Sequence, residues 1–189
     1  WASGLRTANE WRKRLGLEIN GKWKEVADNL AELPVKDGLY LAHENCPDTF
    51  TLFNRDHPSM LGAMGILPGT KVNREIMLNT LLRVMKTWQM KEVWGWDFPM
   101  MAMTAARLGR PDLALDALFL DSPKNEYLVN GHNKQADRKD LPIYLPGNGG
   151  LLAAVAMMAA GWRGCSGQLP GFPKDGTWNV TWEGLNPML

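Results

Sequence analysis

The residues of this chain best suited to chemistry are carboxylates set among aromatic, histidine and amide side chains. Asp97 stands foremost, in the run Trp94-Gly95-Trp96-Asp97-Phe98-Pro99 at the mouth of a methionine- and alanine-rich helix. Indoles around a carboxylate exclude water and raise its pKa, as a group that stores and delivers a proton requires. Glu44, between His43 and Asn45, is the second candidate, and His57 lies further along the same stretch. A histidine there can orient an acid or bind a hydroxyl. Asn148, in Pro146-Gly147-Asn148-Gly149-Gly150, sits where glycines let the backbone approach a ligand, and His132-Asn133 occupy the loop before it. Each also has a structural reading. Asp97 and Asn148 suit helix N-caps, Trp94 and Trp96 suit a core, Glu44 suits a loop bond to backbone, and His57 suits a hydrogen-bonded anchor.

The elements that position these residues are predominantly helical. Apolar spacing predicts helices from Ala2 to Leu17 and from about Trp23 to Pro34. A short strand is expected at Leu39-Tyr40-Leu41 after an Asp37-Gly38 turn, then a short apolar helix from Ser59 to Leu67. Asn73 should cap an amphipathic helix reaching about Met90. Asp97 to Leu108 follows, with Asp97 as the cap and Pro99 in the first turn, and its lack of a polar face predicts burial on all sides. Asp112 to Leu120 is a short helix, and Leu151 to Trp162 a second one without a polar face. From Trp178 to Trp182 the alternation predicts a strand.

Connections between these seven helices alternate between short and long. The long ones are 35–57, 91–97 and 121–148, and alternate connections of antiparallel hairpins fall at opposite ends. The three long loops should therefore share one rim, carrying His43, Glu44, Asn45, His57, Trp94, Trp96, Asp97, His132, Asn133 and Asn148.

Composition removes several classes. At 189 residues and 45% hydrophobic content the chain can bury a core as one domain. A net charge of +1 without a basic stripe gives no footprint for nucleic acid. The longest apolar run, Leu151 to Gly161, is too short for a bilayer. Cys46 and Cys165 lack metal-ligand spacing, so no metal or cofactor is expected, while one bridge between them stays open. Acidic clusters for magnesium-diphosphate, which an isoprenoid-processing helical toroid would need, are absent from the sequence. Asn179-Val180-Thr181 fits a glycosylation sequon, a common pattern.

Arg55-Asp56-His57-Pro58-Ser59-Met60-Leu61, closing with Gly65-Ile66-Leu67-Pro68-Gly69, resembles the His-Arg-His-x-Ser-His-Leu…Gly-Leu-Tyr-Pro-Gly motif of the α-L-fucosidase branch of six-hairpin glycoside hydrolases. Trp96 to Gly109 with Asp112–Leu118 is similar to that branch's next helix pair, and Pro146-Gly147-Asn148-Gly149-Gly150 to its Asp-Gly-Asn-x-Gly turn. The resemblance implies an all-α fold in which helical hairpins form part of an (α/α)6 toroid over 1–170. A β-like tail over 171–189 would end the chain or begin a further module. Such toroids have twelve helices, so this chain would be a C-terminal part, its open face covered by the N-terminal remainder of the barrel or by a second copy. There are departures. Pro146 stands at the family's base Asp, Arg55 and Met60 replace two of its histidines, and its general acid lies in a segment N-terminal to this chain.

The implied activity is hydrolysis of glycosidic bonds in an oligo- or polysaccharide by two carboxyl groups, one protonated and one ionised, without cofactor. Asp97 and Glu44 would be catalytic. Trp94, Trp96, His57, His43, Asn45, Asn148, His132 and Asn133 would hold the sugar, in a secreted or periplasmic setting. The competing expectation is a non-catalytic helical domain that binds carbohydrate or acts as a scaffold.

Overall fold

The computed structural model describes residues 1–136 and 138–188. Asp137 of the third long loop and Leu189 of the tail lie outside the described residues. Helices α1 (Ala2–Arg14) and α2 (Gly21–Asp28) pack as a hairpin. Strands β1 (Val35–Lys36) and β2 (Leu39–Tyr40) pair antiparallel, Val35 opposite Tyr40. Their turn places Asp37 and Gly38 at φ 51° and 73°, the paired left-handed geometry that Asp-Gly favours. A 3-10 turn (Ser59–Leu61) runs into α3 (Gly62–Gly65), followed by α4 (Arg74–Thr87), α5 (Asp97–Arg107) and α6 (Pro111–Leu118). A second small hairpin, β3 (Glu126–Tyr127) with β4 (Asn133–Lys134), precedes α7 (Leu145–Ala160). The described chain is thus mostly helical, with strands only in those two hairpins.

Everything central rests on α5. All eleven of its residues are buried, and it packs against α3, α4, α6 and α7. Its one uncharged polar side chain, Thr104, donates to the carbonyls of Met100 (2.8 Å) and Leu61 (3.1 Å), so burial leaves no hydroxyl unsatisfied. Helix α4 begins as its sequence requires. The Asn73 side-chain oxygen accepts from the N–H groups of Glu75 and Ile76 at 3.0 and 3.1 Å. Asn73 N–H in turn donates to the Tyr40 hydroxyl at 2.7 Å, and Tyr40 N–H to Thr80 Oγ1 at 2.9 Å, which fixes the first β-hairpin on α4.

Several expectations need correction. Asp97 is not the N-cap of α5: Trp96 occupies that position in an αR conformation, and the helix has no side-chain cap. The backbone already turns at Trp94, whose carbonyl accepts from Asp97 N–H at 3.0 Å, so the Asp97 side chain is released for other partners. The Ser59 helix ends at Gly65 rather than Leu67, and α4 ends at Thr87. Helix α7 starts at Leu145, with Pro146 in its first turn, so Asn148 lies inside the helix and is not its cap. The glycines there serve close approach. A Cβ on Gly150 would come within 2.8 Å of Pro99 Cγ, so the bare backbone is what seats α7 against the start of α5. Nor is α7 buried all round, since Leu145, Leu152 and Val155 are exposed. Residues 178–182 form no strand because no neighbouring strand offers them a ladder. Cys46 and Cys165 are both free thiols.

Candidate functional site

Two of the three long loops are tied down beside each other by the end of α4 and the start of α5. Trp88, just after α4, donates its indole N–H to the Asp56 carbonyl at 2.5 Å. Buried Asn54 donates to the Thr87 carbonyl at 2.6 Å, and its own carbonyl accepts from Gln89 N–H at 2.9 Å. The Asp56 carboxylate accepts from His57 N–H at 2.8 Å, and Pro58 is buried behind it. His57 is thereby presented toward the first residue of α5.

There its Nδ1 lies 3.0 and 3.1 Å from the two carboxylate oxygens of Asp97. Asp97 is fully buried, and its Oδ2 also accepts from Trp94 N–H at 2.8 Å. The Trp96 indole N–H points at the same His57 Nδ1 from 2.9 Å. Burial raises the Asp97 carboxyl above its ordinary value, against the opposing pull of the Trp94 N–H and of His57. The His57 side chain keeps 32% of its surface, and Nε2, on the other edge of the ring, lies 3.6 Å from the exposed Asp56 carboxylate. Sequence alone did not distinguish this pairing from a cap at Asp97.

The third loop closes over Trp94. The Tyr144 ring is tilted against the Trp94 ring at 5.4 Å, and His57 stands 6.3 Å from it on centroids. Lys124 Nζ and Arg138 Cζ sit over the same indole at 5.1 and 5.7 Å, within cation–π range. Arg138 is also paired with Asp140 at 2.6 Å. Trp94 is therefore only partly open, a ring clasped by an aromatic and two cations. Burial, with Asp97 and Asp56 nearby, raises the Tyr144 hydroxyl above its ordinary value.

This third loop is held by amides. Buried Gln135 accepts from Gly95 N–H at 3.2 Å and donates to the Asn133 side-chain oxygen at 2.8 Å. Asn133 is wholly buried and donates to the carbonyls of Lys124 and Glu126, while its N–H goes to the Asn148 side chain at 3.1 Å. Asn148 in turn donates to the Gly131 carbonyl at 2.5 Å. A side chain on Gly95 or Gly147 would overlap the Asn133 amide, so both glycines are needed for the amide cluster to fit.

Of the residues singled out from sequence, then, the fold assembles His57, Trp94, Trp96 and Asp97. Asn133 and Asn148 stand behind them as loop anchors with their amides engaged by protein. His132 is half-buried, its N–H bonded to the Asn130 side chain at 3.1 Å. His43, Glu44 and Asn45 are exposed on a turn closed by Cys46 N–H to the His43 carbonyl, and among the described residues no hydrogen bond or ion pair joins them to Asp97. Tyr144, Lys124, Arg138 and Gln135 are additions to the site. Only Tyr144, an aromatic just before Pro146-Gly147, carried any signal.

No protein-family model, curated protein or solved structure was found to match this chain. The site thus stands on its own chemistry. It offers a carboxyl sealed from water, a partly exposed imidazole gripped at Nδ1, and an aromatic wall with two cations. Among the described residues no group of three or more His, Cys, Asp or Glu side chains could hold a metal ion, and no helix is long and apolar enough to cross a membrane.

Proposed function

We propose that this rim recognises carbohydrate and belongs to an enzyme that hydrolyses glycosidic bonds, with the chain forming the C-terminal part of an (α/α)6 toroid. One observation carries the reading. Loops 40 residues apart in sequence meet at His57 and Asp97, beside two indoles, and the His57 side chain keeps 32% of its surface, with Nε2 3.6 Å from the Asp56 carboxylate. Partly open aromatic rings beside hydrogen-bonding groups suit a sugar, which has an apolar face and a periphery of hydroxyls. In this reading Asp97 acts through His57 by holding its ring, and Asp56 is the solvent-facing carboxylate next to it. The exposed stripe on α7 supports a missing neighbour, whether the remaining hairpins or a second copy.

The competing reading, a binding or scaffold domain without catalysis, also has an observation in its favour. Hydrolysis needs two carboxyl groups facing the substrate, whereas Asp97 is enclosed and both its oxygens are engaged. A secreted or periplasmic setting accompanies either version of a glycan-directed role.

The test is a hydrolysis screen on aryl glycosides, fucosides included, with oligosaccharide binding read in parallel by tryptophan fluorescence. The longest natural form of the chain is compared with His57→Gln, Asp97→Asn and Glu44→Gln. Hydrolysis that drops at least a hundredfold in His57→Gln, with folding intact by circular dichroism, is the expected result. Saccharide binding without turnover would favour the non-catalytic reading, and silence in both assays would end the carbohydrate assignment.

A further inference from the structure

The contact between His57, Asp97 and Trp96 has one arrangement of protons in which no donor faces a donor and no acceptor an acceptor. An indole N–H can only donate, and Trp96 aims its own at His57 Nδ1 from 2.9 Å. Nδ1 must therefore present its lone pair. Yet the same lone pair faces the Asp97 carboxyl at 3.0 Å, and a bare carboxylate there would set two acceptors against each other. Placing the proton on Nδ1 instead would satisfy Asp97 but leave the Trp96 N–H pointing at another N–H. With the proton on Asp97 Oδ1, Oδ1–H and the indole N–H share the one Nδ1 lone pair as a bifurcated acceptor. Oδ2 then remains an acceptor for Trp94 N–H at 2.8 Å.

We infer that Trp96 fixes the tautomer of His57, so that Asp97 is a neutral carboxylic acid and the imidazole offers the solvent a hydrogen-bond donor, Nε2–H. The burial that raises the Asp97 carboxyl acts in the same direction. Asp56, 3.6 Å from Nε2, is an acceptor and matches a donor at that position. Trp96 and Asp97 are thus positioning residues. The ligand meets His57 through an acceptor, namely a hydroxyl, ether, carbonyl or carboxylate oxygen, and His57 in this form cannot take a proton from it. The inference concerns the donor that the site displays and stands whether or not the ligand is a glycan.

Nitrogen NMR of isotope-labelled histidine reads the tautomer directly. The chain has three histidines, so substituting His43 and His132 assigns His57. The expected spectrum of the wild-type protein near neutral pH shows His57 with a protonated Nε2 and a bare Nδ1. A proton on Nδ1 would overturn the inference, and this measurement needs no variant to fold. Asp97→Asn should retain the same tautomer, because an amide N–H donates to Nδ1 as the acid O–H does and the amide oxygen still serves Trp94. Trp96→Phe, which removes the indole donor, should move the population toward Nδ1–H; an unchanged tautomer there would remove Trp96 from the role. Failure of every saccharide to bind would sink the functional reading while leaving this spectrum as expected.

Discussion

Helices α5 and α7 are made of much the same material, and the chain treats them differently. Both are dominated by methionine and alanine, and neither has a polar face by sequence. Yet α5 is buried over its whole length, while α7 buries Gly147, Ala154, Met157, Met158 and Ala159 and leaves Leu145, Leu152 and Val155 open, Leu152 at 72% exposure. What separates them is position. Helix α5 has α3, α4, α6 and α7 around it, whereas α7 leans on α5 and has no helix on its far side among the described residues. Lack of a polar face says that a helix tolerates burial, and the neighbours decide how much of it is covered. The candidate site follows the same division. Its sealed component, Asp97, is the first residue of α5, and the part that closes over Trp94 comes from the loop leading into α7.

Truncation sharpens the contrast most. Met101, fully buried on α5, should lose about 2–5 kcal/mol of stability as Met101→Ala, since the cavity has rigid neighbours on every side. Urea unfolding would measure it. A loss under about 1 kcal/mol would mean that α5 is not the packed centre described.

Next in size is Gly95→Ala, which probes the seam between the α5 entrance and the third loop. The new methyl would overlap the Asn133 side-chain oxygen and come within 2.6 Å of Gln135 Nε2, both on buried amides that cannot swing into solvent. Overpacking of this kind costs about 1–3 kcal/mol. It should also detach the loop that carries Lys124 and Tyr144, seen as a change in Trp94 fluorescence. A variant as stable as the parent would show that the amide cluster yields easily.

What could be read from sequence was mostly local. The Asn73 cap was legible because its partners lie two and three residues away. The burial of α5 was legible because, past Asp97, its run of methionine and alanine leaves no polar face. The meeting of the long loops was legible from the alternation of connections, and His57 and Asp97 do meet. The remainder depended on contacts across space. Asp97 looked like a cap because its neighbours fit one, but His57, 40 residues earlier in the chain, takes its carboxyl. The start of α7 looked like a loop because glycines weaken a helix. Their use became visible only with Pro99 and Asn133 against them. Trp178 to Trp182 alternates like a strand, and alternation without a partner makes none. Gln135 had no signal at all, since an amide in a polar loop looks the same solvated or buried. The arrangement of the helices as part of a toroid remains a proposal.

A subtler difference between the two helices should appear in how stability depends on pH. Burial raises the Asp97 carboxyl, so the folded protein binds that proton more tightly than the unfolded chain does. The associated stability is fully present below the ordinary value of 3.8 and is lost as pH rises through the raised value. Asp28, Asp112, Asp140 and Asp175 are held below their ordinary values and act in the opposite sense, losing stability as pH falls. They are common to the wild type and Asp97→Asn, so the difference between the two stability curves isolates Asp97. Asp97→Asn should lose less stability than the wild type as pH rises above the acid range. Parallel curves would mean that folding leaves the Asp97 carboxyl at its ordinary value.

The smallest expected change is the one that could undo the contrast. Leu152→Ser removes an exposed side chain on the open face of α7 and should shift stability by no more than about 0.5 kcal/mol, the usual range for surface positions. It should also lower binding of a hydrophobic dye, because Leu145, Leu152 and Val155 lie on one helical stripe. A loss of about 2 kcal/mol would instead be the signature of a core leucine. If that loss shrank on dilution, the neighbour would be another copy of the chain, since only an association between molecules depends on concentration. In that event α7 would be covered as α5 is, and the difference between them would be one of which molecule supplies the cover.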